Sequence, residues 1–267
     1  MESAGLSASY EAPKDNMIVL FTGLPGAGKS LKMSRTIIKV LYRNQKYWEK
    51  AVKRWRIERE STPNLLPPKP RRIYSNLKLS PEVEAEFGVS TDDHPAGAIR
   101  YWWDPSQLID IRDADVFWDE IATHLDATQW QNMSLEIKRW LQQHRKFGIE
   151  VYGTTQDFAM IDKSMRRLTS DLYIITKMMG SGDKSATKPE IKNIWGISMV
   201  QAMDPQTYDE EESKQKAGWP SFMFFTRADV EVFDTTQEIK MGKYPPLNHI
   251  ERECGNPECQ YHKVLHV

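Results

Sequence analysis

One stretch constrains this chain more than any other, Met17 to Ser34. Ile18-Val19-Leu20-Phe21 is a short apolar run. Thr22-Gly23-Leu24-Pro25-Gly26-Ala27-Gly28-Lys29-Ser30 follows, and a helical pattern runs from Leu31 to Leu41. This is G-x-x-x-x-G-K-S between a strand and a helix, the P-loop signature in its required context. Small residues let backbone N–H groups curl round an anion, and the new helix turns its positive end toward it. Gly23, Pro25, Gly26, Ala27, Gly28, Lys29, Ser30 and Leu31 are therefore expected to cradle ATP. Lys29 reaches the β- and γ-phosphates, and the Ser30 hydroxyl is placed to hold Mg2+. The expected fold is α/β, a central and mostly parallel sheet flanked by helices, with further edge or antiparallel strands.

A second motif fits the first. Ala114-Asp115-Val116-Phe117-Trp118-Asp119-Glu120 is a buried-type strand ending in two acids. Its spacing suits a Walker B strand beside the P-loop strand. Asp119 would serve the magnesium, and Glu120 would polarise an attacking water as general base. Ile149 to Gln156 is a further strand ending in polar residues, and the end of a parallel strand faces the ligand crevice. Gln156 is thus placed to hold that water or to report the γ-phosphate. An acid after Asp119 suits hydrolysis better than transfer to a small-molecule substrate.

With 267 residues, the chain has room for one domain with extensions. We divide it into an arm (1–16), an ATPase domain (17–240) and a tail (241–267). Net charge is −1, so global charge predicts no polyanion partner, and any DNA contact has to be local. Residues 43–72 are the candidate. Ten basic residues against three acids, interleaved with Trp48 and Trp55, read as an insertion suited to a nucleic-acid backbone. The alternative is a longer first helix with a solvated basic face and its tryptophans packed on the domain. No apolar run approaches the roughly 20 residues that span a bilayer, and no signal peptide opens the chain. Both cysteines lie near the C-terminus, so a reducing compartment is the default. There, Cys254, Cys259, His262 and His266 are spaced C-x4-C-x2-H-x3-H. Either they close a tetrahedral Zn2+ site, or they are incidental to a polar tail.

The ordered set of motifs resembles the ATPase domain of the zonula occludens toxin-like family, the filamentous phage assembly proteins, within the HerA/FtsK-like P-loop group. Its carriers are Gly23–Ser30, Tyr74–Leu77, Val116–Glu120, Gln143–Ile149, Thr154–Asp157, Asp162–Leu168 and Val232–Thr235. The resemblance implies a RecA/FtsK-like fold and a homo-oligomeric, hexameric ring that hydrolyses ATP. It implies phage DNA and phage or host assembly proteins as partners. The implied place is the host cytoplasm, at the inner face of the inner membrane or a membrane complex there. By analogy, Arg145, Arg166 or Arg167 would reach a neighbour's γ-phosphate; the plain alternative is that they are surface arginines. Two rival readings remain: a genome-packaging or plasmid-transfer motor, and a nucleotide-gated adaptor with little turnover.

Overall fold

The computed structural model describes residues 17–62, 65, 67–90, 97–181, 195–208, 218–226, 229 and 232. Outside them lie the arm, the tail with its Cys/His cluster, and all but Val232 of the Val232–Thr235 motif.

Strand β1 (Ile18–Thr22) is buried along its whole length, as a strand covered on both faces requires. Helix α1 (Lys29–Ser61) follows directly. Then come β2 (Arg72–Ser75), α2 (Pro81–Phe87), β3 (Ile99–Tyr101) and β4 (Ala114–Trp118). Three short helices, α3 (Ala122–Leu125), α4 (Ala127–Asn132) and α5 (Leu135–Gln142), lead to β5 (Glu150–Thr155). Helix α6 (Lys163–Arg166) precedes β6 (Asp171–Ser181), β7 (Trp195–Met203) and β8 (Ser221–Thr226). Among the described residues the strands form one eight-stranded sheet in the order β3-β2-β4-β5-β1-β6-β7-β8. The first six are mutually parallel. β7 and β8 extend the sheet as antiparallel strands.

Helices cover both faces. Leu31, Met33, Ile37, Val40 and Leu41 of α1 pack over Val19, Phe21, Phe117 and Tyr152. On the other side Leu125, Ile137, Trp140 and Met165 pack over Leu20, Val116, Trp118 and Val151. Helix α5 shows why: Ser134 caps it by accepting from the Ile137 N–H, and Ile137, Trp140 and Leu141 share one face.

Two expectations need correction. First, β4 does not lie beside β1. β5 sits between them, pairing with β1 on one edge and β4 on the other. Sequence spacing does not set strand order, and all six β5 residues are buried, which suits a central place. Second, α1 does not stop near Tyr42. Residues 43–61 contain neither Gly nor Pro, so nothing breaks the helix until Thr62. The Pro-rich return lies along it, where the Trp48 indole N–H donates to the Pro68 carbonyl at 3.0 Å and that of Trp55 to Leu65 at 2.8 Å. The helical part of the basic segment is therefore the outer half of α1, and its tryptophans are held by the return segment. Helix α5 ends at Gln142, and Gly148 (φ 67°) turns the chain into β5.

Among the described residues, no helix is long and apolar enough to cross a membrane.

Candidate functional site

Parallel strands carry the motif residues to one rim of the sheet, the C-terminal ends of β1, β2, β4 and β5. The P-loop bridges β1 and α1 there. Gly26 (φ 75°) and Gly28 (φ 98°) hold left-handed conformations that side chains resist. Gly23 is needed for space, because a Cβ there would overlap the Ile175 carbonyl oxygen. The loop is braced from β7 and β8: Ser198 Oγ donates to the Ala27 carbonyl at 2.8 Å, and the Met223 methyl lies under Gly28. A cavity of about 410 Å3 opens beside the loop, walled by Thr22, Gly23, Ala27, Gln156, Ile175 and Tyr208. We expect Gly23→Ala to force the loop off Ile175, at a cost of roughly 1–3 kcal/mol. Thermal melting and fluorescent-ATP titration should both register it; unchanged values would mean that the loop moves freely.

Lys29 is buried, and its ammonium donates to the carbonyls of Gly23 (2.9 Å) and Leu24 (3.3 Å). It spans the loop that would wrap a phosphate. Burial lowers its pKa, opposed by the charges of Glu120 and Asp119. Ser30 Oγ faces the Asp119 carboxylate at 3.3 and 3.4 Å from its two oxygens. Asp119 also accepts from Thr154 Oγ at 2.5 Å. Burial pushes its carboxyl upward, and the hydrogen bonds from Thr154 and Ser30 only partly offset that. A hydroxyl opposite a desolvated carboxylate is an oxygen donor pair that fits Mg2+.

Glu120 follows in a left-handed conformation (φ 50°), rare for a residue with a side chain. Thr154 holds this turn: its Oγ accepts the Glu120 N–H at 2.9 Å, and its carbonyl accepts the Ile121 N–H at 2.8 Å. Burial raises the Glu120 pKa, as does neighbouring Asp119, while Lys29 and a hydrogen bond from the Gln156 side chain lower it. A half-buried carboxylate held by Gln156 next to Lys29 has the makeup of a general base.

The structure thus brings together Gly23 to Ser30, Asp119, Glu120 and Gln156. It places the three arginines elsewhere. The Arg166 guanidinium lies 5.8 Å over the Phe158 ring. Arg145 and Arg167 line a different cavity, near the N-terminal ends of β5 and β6, away from their own P-loop. Among the described residues, no cluster of three or more His, Cys, Asp or Glu could hold a metal ion.

Sequence reasoning missed Asn76, Thr154 and Ser198 as parts of the site. Asn76 grips the Asp119 backbone from both sides, accepting its N–H at 2.6 Å and donating to its carbonyl at 3.0 Å. Its signal was present in the sequence: a polar residue just past a parallel strand, the same position that singled out Gln156.

Residues 17–193 match the family described as Zonular occludens toxin (Zot). No curated protein matches the sequence. Among the solved structures that resemble the chain are the following three. The N-terminal domain of zonular occludens toxin from Neisseria meningitidis is 17% identical (TM-score 0.48), covering 82% of this chain and 98% of its own. The DNA-packaging ATPase of Sulfolobus turreted icosahedral virus is 12% identical (TM-score 0.42), covering 80% and 97%. The flagellar accessory protein FlaH from Methanocaldococcus jannaschii is 10% identical (TM-score 0.35), covering 74% and 87%.

Proposed function

The chain belongs to the zonular occludens toxin (Zot) family, and from that premise we propose that it is an ATP-hydrolysing motor of a bacteriophage, driving virion assembly and extrusion or DNA translocation. One observation carries the reading: a buried lysine, a hydroxyl–carboxylate pair and a hydrogen-bonded glutamate converge on one glycine-lined loop.

In this mechanism ATP phosphates enter the loop and Lys29 exchanges its carbonyl partners for β- and γ-oxygens. Ser30 and Asp119 would hold Mg2+, which would supply charge neutralisation on the phosphates. Asn76 and Thr154 fix Asp119 in place. Glu120, aimed by Thr154 and Gln156, takes a proton from the water. The water oxygen bonds to the γ-phosphorus, and the bond from that phosphorus to the β-bridging oxygen breaks, leaving ADP. Gln156 touches both the base and the loop's cavity, so it senses whether the γ-phosphate is present.

We place the protein in the host cytoplasm at the inner face of the inner membrane, as a hexameric ring acting on phage DNA with phage or host assembly proteins. Arg166 is our choice for the residue reaching a neighbour's nucleotide, because its guanidinium lies over Phe158, two residues beyond Gln156. The C-terminal Cys/His set stays a candidate Zn2+ site.

The test is ATP turnover by purified protein, alone and with single- or double-stranded DNA, on samples sized by light scattering. Wild type should turn over ATP faster with DNA, in an assembled form. Lys29→Ala should neither bind nor hydrolyse. Wild-type turnover no greater than that of Lys29→Ala would favour a nucleotide-gated adaptor instead.

A further inference from the structure

A second cavity, of about 470 Å3, lies at the other end of the strands from the P-loop. Its wall brings together residues far apart in sequence: His144 and Arg145 from the turn after α5, Arg167 and Ser170 from the link between α6 and β6, and Asp204 and Gln206 after β7. The backbone around it is fixed. Ser170 N–H donates to the Ile18 carbonyl, Ile149 N–H to that of His144, and Gln206 Nε2 to that of Arg167.

The chemistry of the wall is one-sided. Arg145 and Arg167 are exposed and charged, and neither guanidinium makes a hydrogen bond or ion pair among the described residues. The buried Ser170 hydroxyl has no partner either. The single acid among the described lining residues, Asp204, uses one carboxylate oxygen to cap the turn that follows it, accepting from Gln206 N–H at 2.9 Å. Lys146, next to Arg145, and Lys163, one turn before Arg167, are exposed on the same segments. Two guanidiniums whose donor forks meet no partner among the described residues, on a concave surface, match an oxyanion with several acceptor oxygens.

We propose that this cavity is a phosphate-binding site for a nucleic-acid strand, separate from the nucleotide site. The proposal rests on the reading of the protein as a DNA-handling motor and moves the DNA contact off the outer half of α1. There Trp48 and Trp55 bond to the return segment, and Arg43 and Arg71 turn inward to Asp115. The cavity holds a backbone phosphate, and the flanking lysines meet its neighbours along the strand. Such a contact positions the strand without reading its sequence.

The experiment measures binding of fluorescein-labelled single- and double-stranded oligonucleotides to the full chain across a series of salt concentrations. It compares wild type with the double variant Arg145→Gln/Arg167→Gln and with Arg145→Lys/Arg167→Lys. Losing the phosphate contact in the cavity should flatten the slope of log K against log salt by roughly 0.7 on single strands and 0.9 on duplex. Affinity at low salt should fall by about tenfold or more, and the lysine pair should retain most of the slope. Inorganic phosphate should compete with DNA on wild type but not on the glutamine pair. Wild type that binds DNA, with a glutamine pair of equal slope and affinity, overturns the site but leaves the motor reading intact. A glutamine pair that binds DNA normally but loses concentration-dependent turnover assigns the phosphate to a neighbour's nucleotide, which also overturns the proposal. Wild type that binds neither DNA form removes the DNA-motor reading itself.

Discussion

Glu120→Gln should lower ATP turnover by about 100-fold or more, up to about 10,000-fold, while ATP binding persists. The substitution keeps the shape of the side chain and removes its capacity to take a proton. Lys29, Ser30 and Asp119 are untouched, so the nucleotide cradle remains whole and the protein accumulates in the ATP-bound form. Lys29→Ala fails earlier, at binding, and the contrast separates the two roles. The pH profile adds a second check. Burial and the Asp119 charge raise the Glu120 pKa, and the base acts only when deprotonated. Turnover should therefore fall as pH drops, beginning nearer neutrality than for an ordinary glutamate, and that limb should vanish from the residual activity of Glu120→Gln. Single-turnover hydrolysis within twofold of wild type would remove Glu120 from the mechanism. The left-handed backbone at Glu120 points the same way: strain of this kind persists where surrounding bonds over-determine it, and Thr154 supplies two.

The parts of this site that could be read in the sequence are those whose physics is local. Gly23 to Ser30 must curl round an anion whatever the rest of the chain does. Asp119 and Glu120 announce themselves because two acids end an apolar strand. What escaped was set by partners distant in sequence. Thr154 matters because β5 enters between β1 and β4, which puts its hydroxyl beside Asp119; spacing along the chain carries no record of that insertion. Ser198 and Met223 brace the P-loop from the antiparallel extension, after more than 160 intervening residues. Residues 43–72 mislead for a related reason. Counting their charges treats every base as a surface group, yet the Arg71 side chain is 2% exposed and Arg43 pairs inward with Asp115 and Glu150. Their acids lie on strands that follow the segment, so the local count overstates the charge that faces solvent.

The same inward pair yields a large effect on stability. Asp115, 0% exposed at the start of β4, receives both arms of Arg71, at 3.0 Å from Nε and 2.9 Å from Nη2, and Asn44 Nδ2 at 2.7 Å. Arg71 also donates to the carbonyls of Gly148 and Ala114, each at 2.9 Å. Arg43 and Glu150 complete a set of two cations and two anions, and Tyr152 donates to Glu150 at 2.8 Å. Arg71→Met leaves the set one cation short in a buried place, which costs about 3–5 kcal/mol. For a domain of this size the melting temperature should drop by on the order of 10 °C. Acid should reduce the deficit. Burial, then the Asp115 charge, already pushes the Glu150 carboxyl upward, and removing a cation pushes it further. A carboxyl whose folded-state pKa exceeds its unfolded value favours the folded form increasingly as pH falls through the folded pKa toward the unfolded one. The gap between wild type and Arg71→Met should therefore narrow between neutral and mildly acidic pH. A gap that is constant or widens would mean that the loss comes from packing of the arginine stem. Nucleotide affinity below the melting range should hold, because Asp115 lies at the opposite end of β4 from Asp119. Affinity lost in step with stability would mean that the two ends of the strand are coupled and that the P-loop depends on this network.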